Sequence, residues 1–155
     1  MVIRTRILLL LGIALAAAPL SAANRLDQNG NRFELKDLKG QITVLDFAAS
    51  WCDPCWKALP YLQELAASQP GLKILVLSED NRAAGRDKLV KKLGLTMPVI
   101  WDEGHAWAKV FEPKGMPTTL ILDKDGEVIY RHEGFSPEKW QEFLDKLNFV
   151  QTSGS

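Results

Sequence analysis

Cysteine is nearly absent: of 155 residues only two are cysteine, and both lie in one stretch, Trp51-Cys52-Asp53-Pro54-Cys55. So few exclude a scaffold stapled by several bridges between distant segments. The one bridge available would close a four-residue ring. Constraining so short a loop adds little stability, so the pair is better explained by reactivity. Histidine is equally scarce, with only His105 and His132. A zinc site needs four ligands, and both histidines are far in sequence from the cysteines. Haem attachment through this motif is excluded because Trp56 follows Cys55 where a histidine is required. Net charge is also missing: 19 basic residues face 19 acidic ones. That balance argues against nucleic acid or an acidic surface as the main partner. The apolar run from Ile7 to Ala18 is about a dozen residues, short of the ~20 that span a membrane. No internal repeat or low-complexity segment occurs, and 46% hydrophobic with 25% charged residues suits one globular domain with a real core.

Turning to what is present, Arg4 and Arg6 give a basic start, Ile7 to Ala18 is apolar, and Ser21-Ala22-Ala23 offers small residues for cleavage. Residues 1–23 therefore read as a targeting segment, either a cleaved signal peptide or an uncleaved signal anchor. No cysteine follows the apolar stretch, so a lipid-modified amino terminus is not expected. Asn29-Gly30-Asn31 and Lys39-Gly40 are turn signals around Arg32-Phe33-Glu34-Leu35, predicting an amino-terminal hairpin. Ile42 to Phe47 has few polar interruptions and reads as a strand covered on both faces.

Apolar positions Leu59, Leu62, Leu65 and Ala66 recur at helical spacing, so Cys52 to about Ser68 is an amphipathic helix, with Pro60 expected to kink it. A strand at 72–77 and a helix at 81–93 follow, with Gly94 as the stop and Gly85 weakening the helix's first half. Residues 97–101 form a short strand or an extended link, and 104–111 a short helix carrying Trp107. Residues 118–122 and 127–132 pair as a hairpin across Asp123-Lys124-Asp125-Gly126. Ser136-Pro137 opens a last helix to about Leu147, and 151–155 form a disordered tail.

A Cys-x-x-Cys directly after a buried strand and opening a helix, in a βαβ pattern, points to thiol–disulfide chemistry. Cys52, nearest the helix amino terminus, is expected to be the attacking thiolate and Cys55 the resolving thiol. Asp46 sits in an apolar strand. Buried, its carboxyl would titrate high and could exchange a proton with Cys55; at a strand end facing solvent it would do neither.

Trp51-Cys52-Asp53-Pro54-Cys55 resembles the active site of the thioredoxin superfamily, and of its exported TlpA/ResA-like branch in particular. Gly115-Met116-Pro117-Thr118-Thr119 is similar to that family's cis-proline loop, and Leu122-Asp123-Lys124-Asp125-Gly126 to the hairpin that follows. Together these motifs cover roughly residues 26–147. The resemblance implies an α/β, thioredoxin-like fold over residues 24–150. In it a central mixed sheet is flanked by helices, with an amino-terminal hairpin and a helix-bearing insertion between residues 79 and 114. It implies Cys52, Cys55 and Asp46 as catalytic residues, and Trp51, Asp53, Pro54, Met116 and Pro117 as a substrate groove. No metal or cofactor is implied besides the redox-active Cys52–Cys55 disulfide.

Asp46 matches the position of the buried acid in thioredoxin, whereas many TlpA/ResA-like proteins have Asn there. Those proteins also carry an acid after the motif, where this chain has Ala58. The departure favours a thioredoxin-type proton path. Trp56 replaces a residue that is usually basic in relatives, and contact and packing roles remain open for it. Trp101, Trp107 and Trp140 are expected to pack, and His105 and His132 to be surface or hairpin side chains.

The implied activity is an exported, periplasmic protein-disulfide reductase, recharged by a membrane electron donor of DsbD/CcdA type, acting on protein thiols and disulfides as a monomer. Cytochrome c maturation and disulfide repair are the family's client processes. The alternatives are an oxidant or isomerase of the same fold, or a copper-handling protein built on it.

Overall fold

The structure, a computed structural model, describes residues 25–153. The expected targeting segment, residues 1–23, lies outside the described residues. Among those described, no helix is long and apolar enough to cross a membrane.

The chain is organised around β1 (Thr43–Ala48), every residue of which is buried. β1 lies in the middle of a five-stranded mixed sheet of order β3-β2-β1-β4-β5. It pairs in parallel with β2 (Lys73–Ser78) and antiparallel with β4 (Thr118–Leu122). β3 (Val99–Trp101) extends the parallel side, and β5 (Val128–Glu133) closes the antiparallel one. Side chains alternate across a strand, so Val44 and Ala48 face one layer while Leu45 and Phe47 face the other. The first layer holds α1 (Asp53–Ser68) and α4 (Pro137–Ser153), through Leu59, Leu62, Phe143 and Leu147. α2 (Ala83–Leu93) joins this same core through Leu89. The second core is Leu45, Phe47, Leu75, Leu77, Ile100 and Leu120, capped by Trp107 and Phe111 of α3 (Ala106–Phe111). Burial on both faces is why β1 and β2 read as near-continuous apolar runs.

The α/β, mixed-sheet architecture and the placement of β1 beside β2 agree with expectation, but several local features differ. The turn at Asp27–Asn31 forms, held by the Asp27 carboxylate accepting from the Asn29 and Asn31 amides at 2.8 Å. The predicted hairpin strand does not: a single bridge joins Leu26 and Arg32, and Leu35–Leu38 winds into a 3-10 helix. There the Asp37 carboxylate takes the Glu34 amide at 2.8 Å, and Leu38 drops into the second core. A local side-chain bond and one buried leucine thus override the alternating pattern. α1 runs on through Pro60, whose ring faces solvent.

The disordered-tail reading is corrected for residues 151–153, because α4 continues to Ser153; residues 154–155 lie outside the described residues. Val150 packs on the first core, and Gln151 Nε2 donates to Gln69 Oε1 at 2.9 Å beside the end of α1.

Gly85 explains itself in three dimensions. A Cβ there would lie 2.1 Å from the Asp80 carboxyl carbon, so only glycine lets α2 close over that side chain. On an exposed helix Gly→Ala stabilises by up to ~1 kcal/mol. Here we expect Gly85→Ala to reverse that sign and cost about 1–3 kcal/mol, the usual range for overpacking. Chemical denaturation measures it; a gain in stability would show that Asp80 can move aside freely.

Candidate active site

Four segments build the site: the β1–α1 junction, the carboxyl end of β2, the turn into α3, and the loop before β4. The junction is tied down by Asp80, just after β2. Its carboxylate accepts from the Ser50 amide at 3.0 Å, the Ser50 hydroxyl at 2.7 Å and the Ser78 hydroxyl at 2.8 Å. Trp101 Nε1 holds the Asp80 carbonyl at 2.9 Å, and Trp56 Nε1 holds the Ser50 carbonyl at 3.0 Å. Trp56 is therefore a packing and bracing residue, with Lys88 Nζ 5.7 Å from its ring centre.

From this anchored junction Cys52 becomes the N-cap of α1, and the Cys55 amide points at Cys52 Sγ at 3.3 Å. The two cysteines are joined as a disulfide with Cα atoms 5.3 Å apart. Once reduced, Cys52 would keep that amide and the positive end of the helix beside its sulfur, both of which favour a thiolate. Asp53 and Pro54 occupy the first turn; the proline has no amide to offer and the aspartate brings a negative charge.

Only Cys52 faces outward. It lines a cleft of about 700 Å³, whereas Cys55 is fully buried beneath it. Trp51, Asp53 and Pro54 form one wall, with Trp51 64% exposed on the rim. Gly115 and Met116 form another. The Met116–Pro117 peptide bond is cis, as the resemblance implied. Pro117 itself is buried behind Met116 and does not line the cleft; its carbonyl accepts from the Gly134 amide at 2.7 Å.

Asp46 is completely buried, which rules out the solvent-facing alternative. Strand alternation puts its side chain on the same face as Val44 and Ala48, the layer that contains Cys55. Thr119 Oγ1 donates to Oδ1 at 2.7 Å, while Oδ2 has no protein partner. Burial pushes this carboxyl up to about 7, and the Thr119 hydrogen bond pulls against that rise only in part.

The third wall contains a pair that sequence reading missed. Glu79 and His105 both line the cleft, and His105 Nδ1 lies 2.7 Å from Glu79 Oε2. Glu79 is buried, with Oε1 unpartnered; burial above all pushes its carboxyl up to about 7, the bond to His105 opposing that and nearby Asp102 adding to it. The residues are 26 apart in sequence. The one available signal was Glu79-Asp80, two acids directly after a buried apolar strand.

With the geometry in view, comparison with known proteins places the chain. The Redoxin family profile matches residues 15–147. Thiol-disulfide oxidoreductase ResA of Bacillus thuringiensis subsp. konkukian is 36% identical over 124 residues, covering 78% of this chain and 72% of that protein. ResA of Bacillus subtilis is 28% identical over 131 residues, covering 83% and 73%. Among solved structures, StoA of Bacillus subtilis superposes with a TM-score of 0.65 at 25% identity, covering 77% of this chain and 93% of that one. The pneumococcal exposed lipoprotein thioredoxin Etrx1 of Streptococcus pneumoniae gives 0.68 at 25% identity, covering 79% and 96%. The chain belongs to the Redoxin family, as a ResA-like thiol–disulfide oxidoreductase of thioredoxin fold.

Proposed function

We propose that the protein is an exported reductant of protein disulfides, with Cys52 as nucleophile, Cys55 as resolving thiol and Asp46 as the proton acceptor for Cys55. The observation that carries this reading is the asymmetry of the pair: one sulfur opens into a cleft at a helix N-terminus, the other is buried in the layer that the Asp46 carboxyl faces, with Oδ2 unpartnered among the described residues. The Cys52 thiolate attacks a substrate disulfide, forming a mixed disulfide and releasing one substrate thiolate. Cys55 then gives its proton to Asp46 and attacks Cys52, releasing the second thiolate and leaving the Cys52–Cys55 disulfide. The two cysteines are its only redox group in this scheme. Exposed Trp51, with Asp53, Pro54 and Met116, forms the rim that a client segment covers, and Pro117 fixes the Met116 backbone for strand-like pairing.

Direction follows from what lies between the cysteines. A strong oxidant of this fold stabilises its reduced form by stabilising the thiolate. Here Pro54 supplies no amide, and the Asp53 carboxylate opposes the thiolate by like charge. In a periplasmic setting such a reductant needs recharging by a membrane donor of DsbD/CcdA type. Wrongly paired disulfides and the cysteines of apocytochrome c are clients that fit it. One chain suffices for this reading, because the described cleft residues all come from it.

We expect a midpoint nearer the ~−270 mV of thioredoxin than the ~−120 mV of a strong oxidant. Equilibration against glutathione measures it, and a value above about −180 mV, the isomerase range, would favour the oxidant or isomerase alternative. In the native host, Cys55→Ser should accumulate clients disulfide-linked to Cys52; stoichiometric copper binding without any trapped client would favour the copper-handling alternative.

Asp46 links function to stability. The folded protein holds its proton to about pH 7, whereas the unfolded chain releases it near 3.8. Stability is therefore fully present below about pH 4 and is lost as pH rises to 7, by an amount on the order of 4 kcal/mol. Asp46→Asn should flatten that decline, leave the protein more stable than wild type at pH 8, and slow disulfide turnover on the order of 10²-fold. An unchanged slope in denaturation across pH 4–8 would show that Asp46 finds a partner for its charge.

A further inference from the structure

The reaction proposed above leaves one proton unassigned. Asp46 serves the buried sulfur, but the substrate thiolate expelled when Cys52 attacks is an alkyl thiolate with a conjugate acid near ~8.5, so its departure at neutral pH is eased by a proton. Resting on the reductase reading, we infer that Glu79 and His105 form a second proton-handling pair that delivers this proton to the leaving thiolate from the wall of the cleft facing Cys52.

Four observations carry the assignment. Both side chains line the same cleft as Cys52. The imidazole is oriented by Glu79 through Nδ1 at 2.7 Å, which leaves Nε2 as the ring nitrogen without a partner among the described residues. The His105 side chain is 44% exposed, so solvent can reload it, while that of Glu79 is only 6% exposed. Finally, His105 is held at φ 55, ψ 40, a left-handed conformation that histidine adopts more readily than most side chains and that turns it toward Glu79. Asp102 maintains it: its carbonyl accepts the His105 amide at 2.8 Å, while its carboxylate accepts the Trp107 and Ala108 amides at 2.8 and 2.9 Å. A purely structural ion pair would have no use for a half-open histidine or for a buried carboxyl oxygen, Glu79 Oε1, left without a donor among the described residues.

The step balances in either charge form. If the pair is carboxylate and imidazolium, the Nε2 proton passes to the leaving sulfur. If it is carboxylic acid and imidazole, the Nε2 proton leaves as the Glu79 proton moves to Nδ1. Both end as carboxylate and neutral imidazole, as the substrate S–S bond breaks and the Cys52–substrate bond forms. The charged groups around the pair are Asp102 below it, with Arg25 Nε at 3.6 Å; Glu103 and Lys109 on its own loop and helix; and Asp53 and Lys114 across the cleft. Glu79, pushed up by burial, keeps the shared proton available through neutral pH.

The test uses the pre-reduced full chain in single-turnover reactions with two disulfides. Oxidised glutathione expels an alkyl thiolate; dithionitrobenzoate expels an acidic aromatic thiolate that needs no proton. Both carry negative charge, so a change in the charge of the site affects them alike. His105→Asn, chosen because asparagine tolerates left-handed backbone, and Glu79→Gln should slow the glutathione reaction at pH 7 on the order of 10²-fold and leave the aromatic reaction unchanged. The unchanged aromatic rate also shows that each variant is folded with Cys52 reactive. Equal slowing of both substrates, or of neither, would overturn the proposal. A wild-type chain that reduces the aromatic disulfide but not glutathione or a protein disulfide would instead sink the reductase reading itself.

Discussion

The carboxylate of Asp80 is the constraint on which the rest of the site depends. A strand must stop, turn and deliver a helix N-terminus at one defined place, and the turn leaves backbone groups that need partners. Asp80 supplies them from the end of the neighbouring parallel strand, taking the amide and hydroxyl of Ser50 and the hydroxyl of Ser78. Gly85 clears the space in which that carboxylate sits, and Trp101 grips its backbone. The motif is thus referenced to the sheet rather than to its own loop. The position of Cys52 at the N-cap of α1, and with it the local stabilisation of a thiolate, follows from that anchoring.

Around this fixed point two of the buried acids, Asp46 and Glu79, each keep one carboxyl oxygen unpartnered among the described residues, and they differ in depth. Asp46 lies in the sheet interior with no exposure, so burial governs it above all, with the Thr119 hydrogen bond opposing. Glu79 lies at the cleft with a histidine that can share its proton. Both are held in the range where a proton can be taken or given near neutral pH, and both cost stability there. The large apolar cores on the two sheet faces offset that cost: each buried leucine or phenylalanine contributes about 1.5–3 kcal/mol, and many are fully enclosed.

Much of this was legible in the sequence, for identifiable reasons. β1, β2 and α1 announce themselves because burial on two faces or one stripe forces a pattern on residues adjacent in sequence, and Asp46 stands out as a single polar residue inside such a pattern. The cysteine pair and Pro117 were visible as motifs. What escaped depends on contacts across sequence distance. Gly85 looked like a weak point in α2 because its reason, Asp80, is reached only through the packing of helix on sheet. His105 looked like a surface residue because Glu79 approaches it from another strand. Arg32–Leu35 looked like a strand because alternation is blind to the Asp37–Glu34 bond that winds the chain instead. α4 outran its expected end through one glutamine pair across 82 residues.

Ala58, early in α1, lies on the covered face of the helix and is buried. A carboxyl at both 58 and 46 would put two buried acids near one sulfur, and like charges at close range cannot both ionise cheaply. A small apolar residue at 58 avoids that conflict and keeps the covered face of α1 apolar around the buried Cys55.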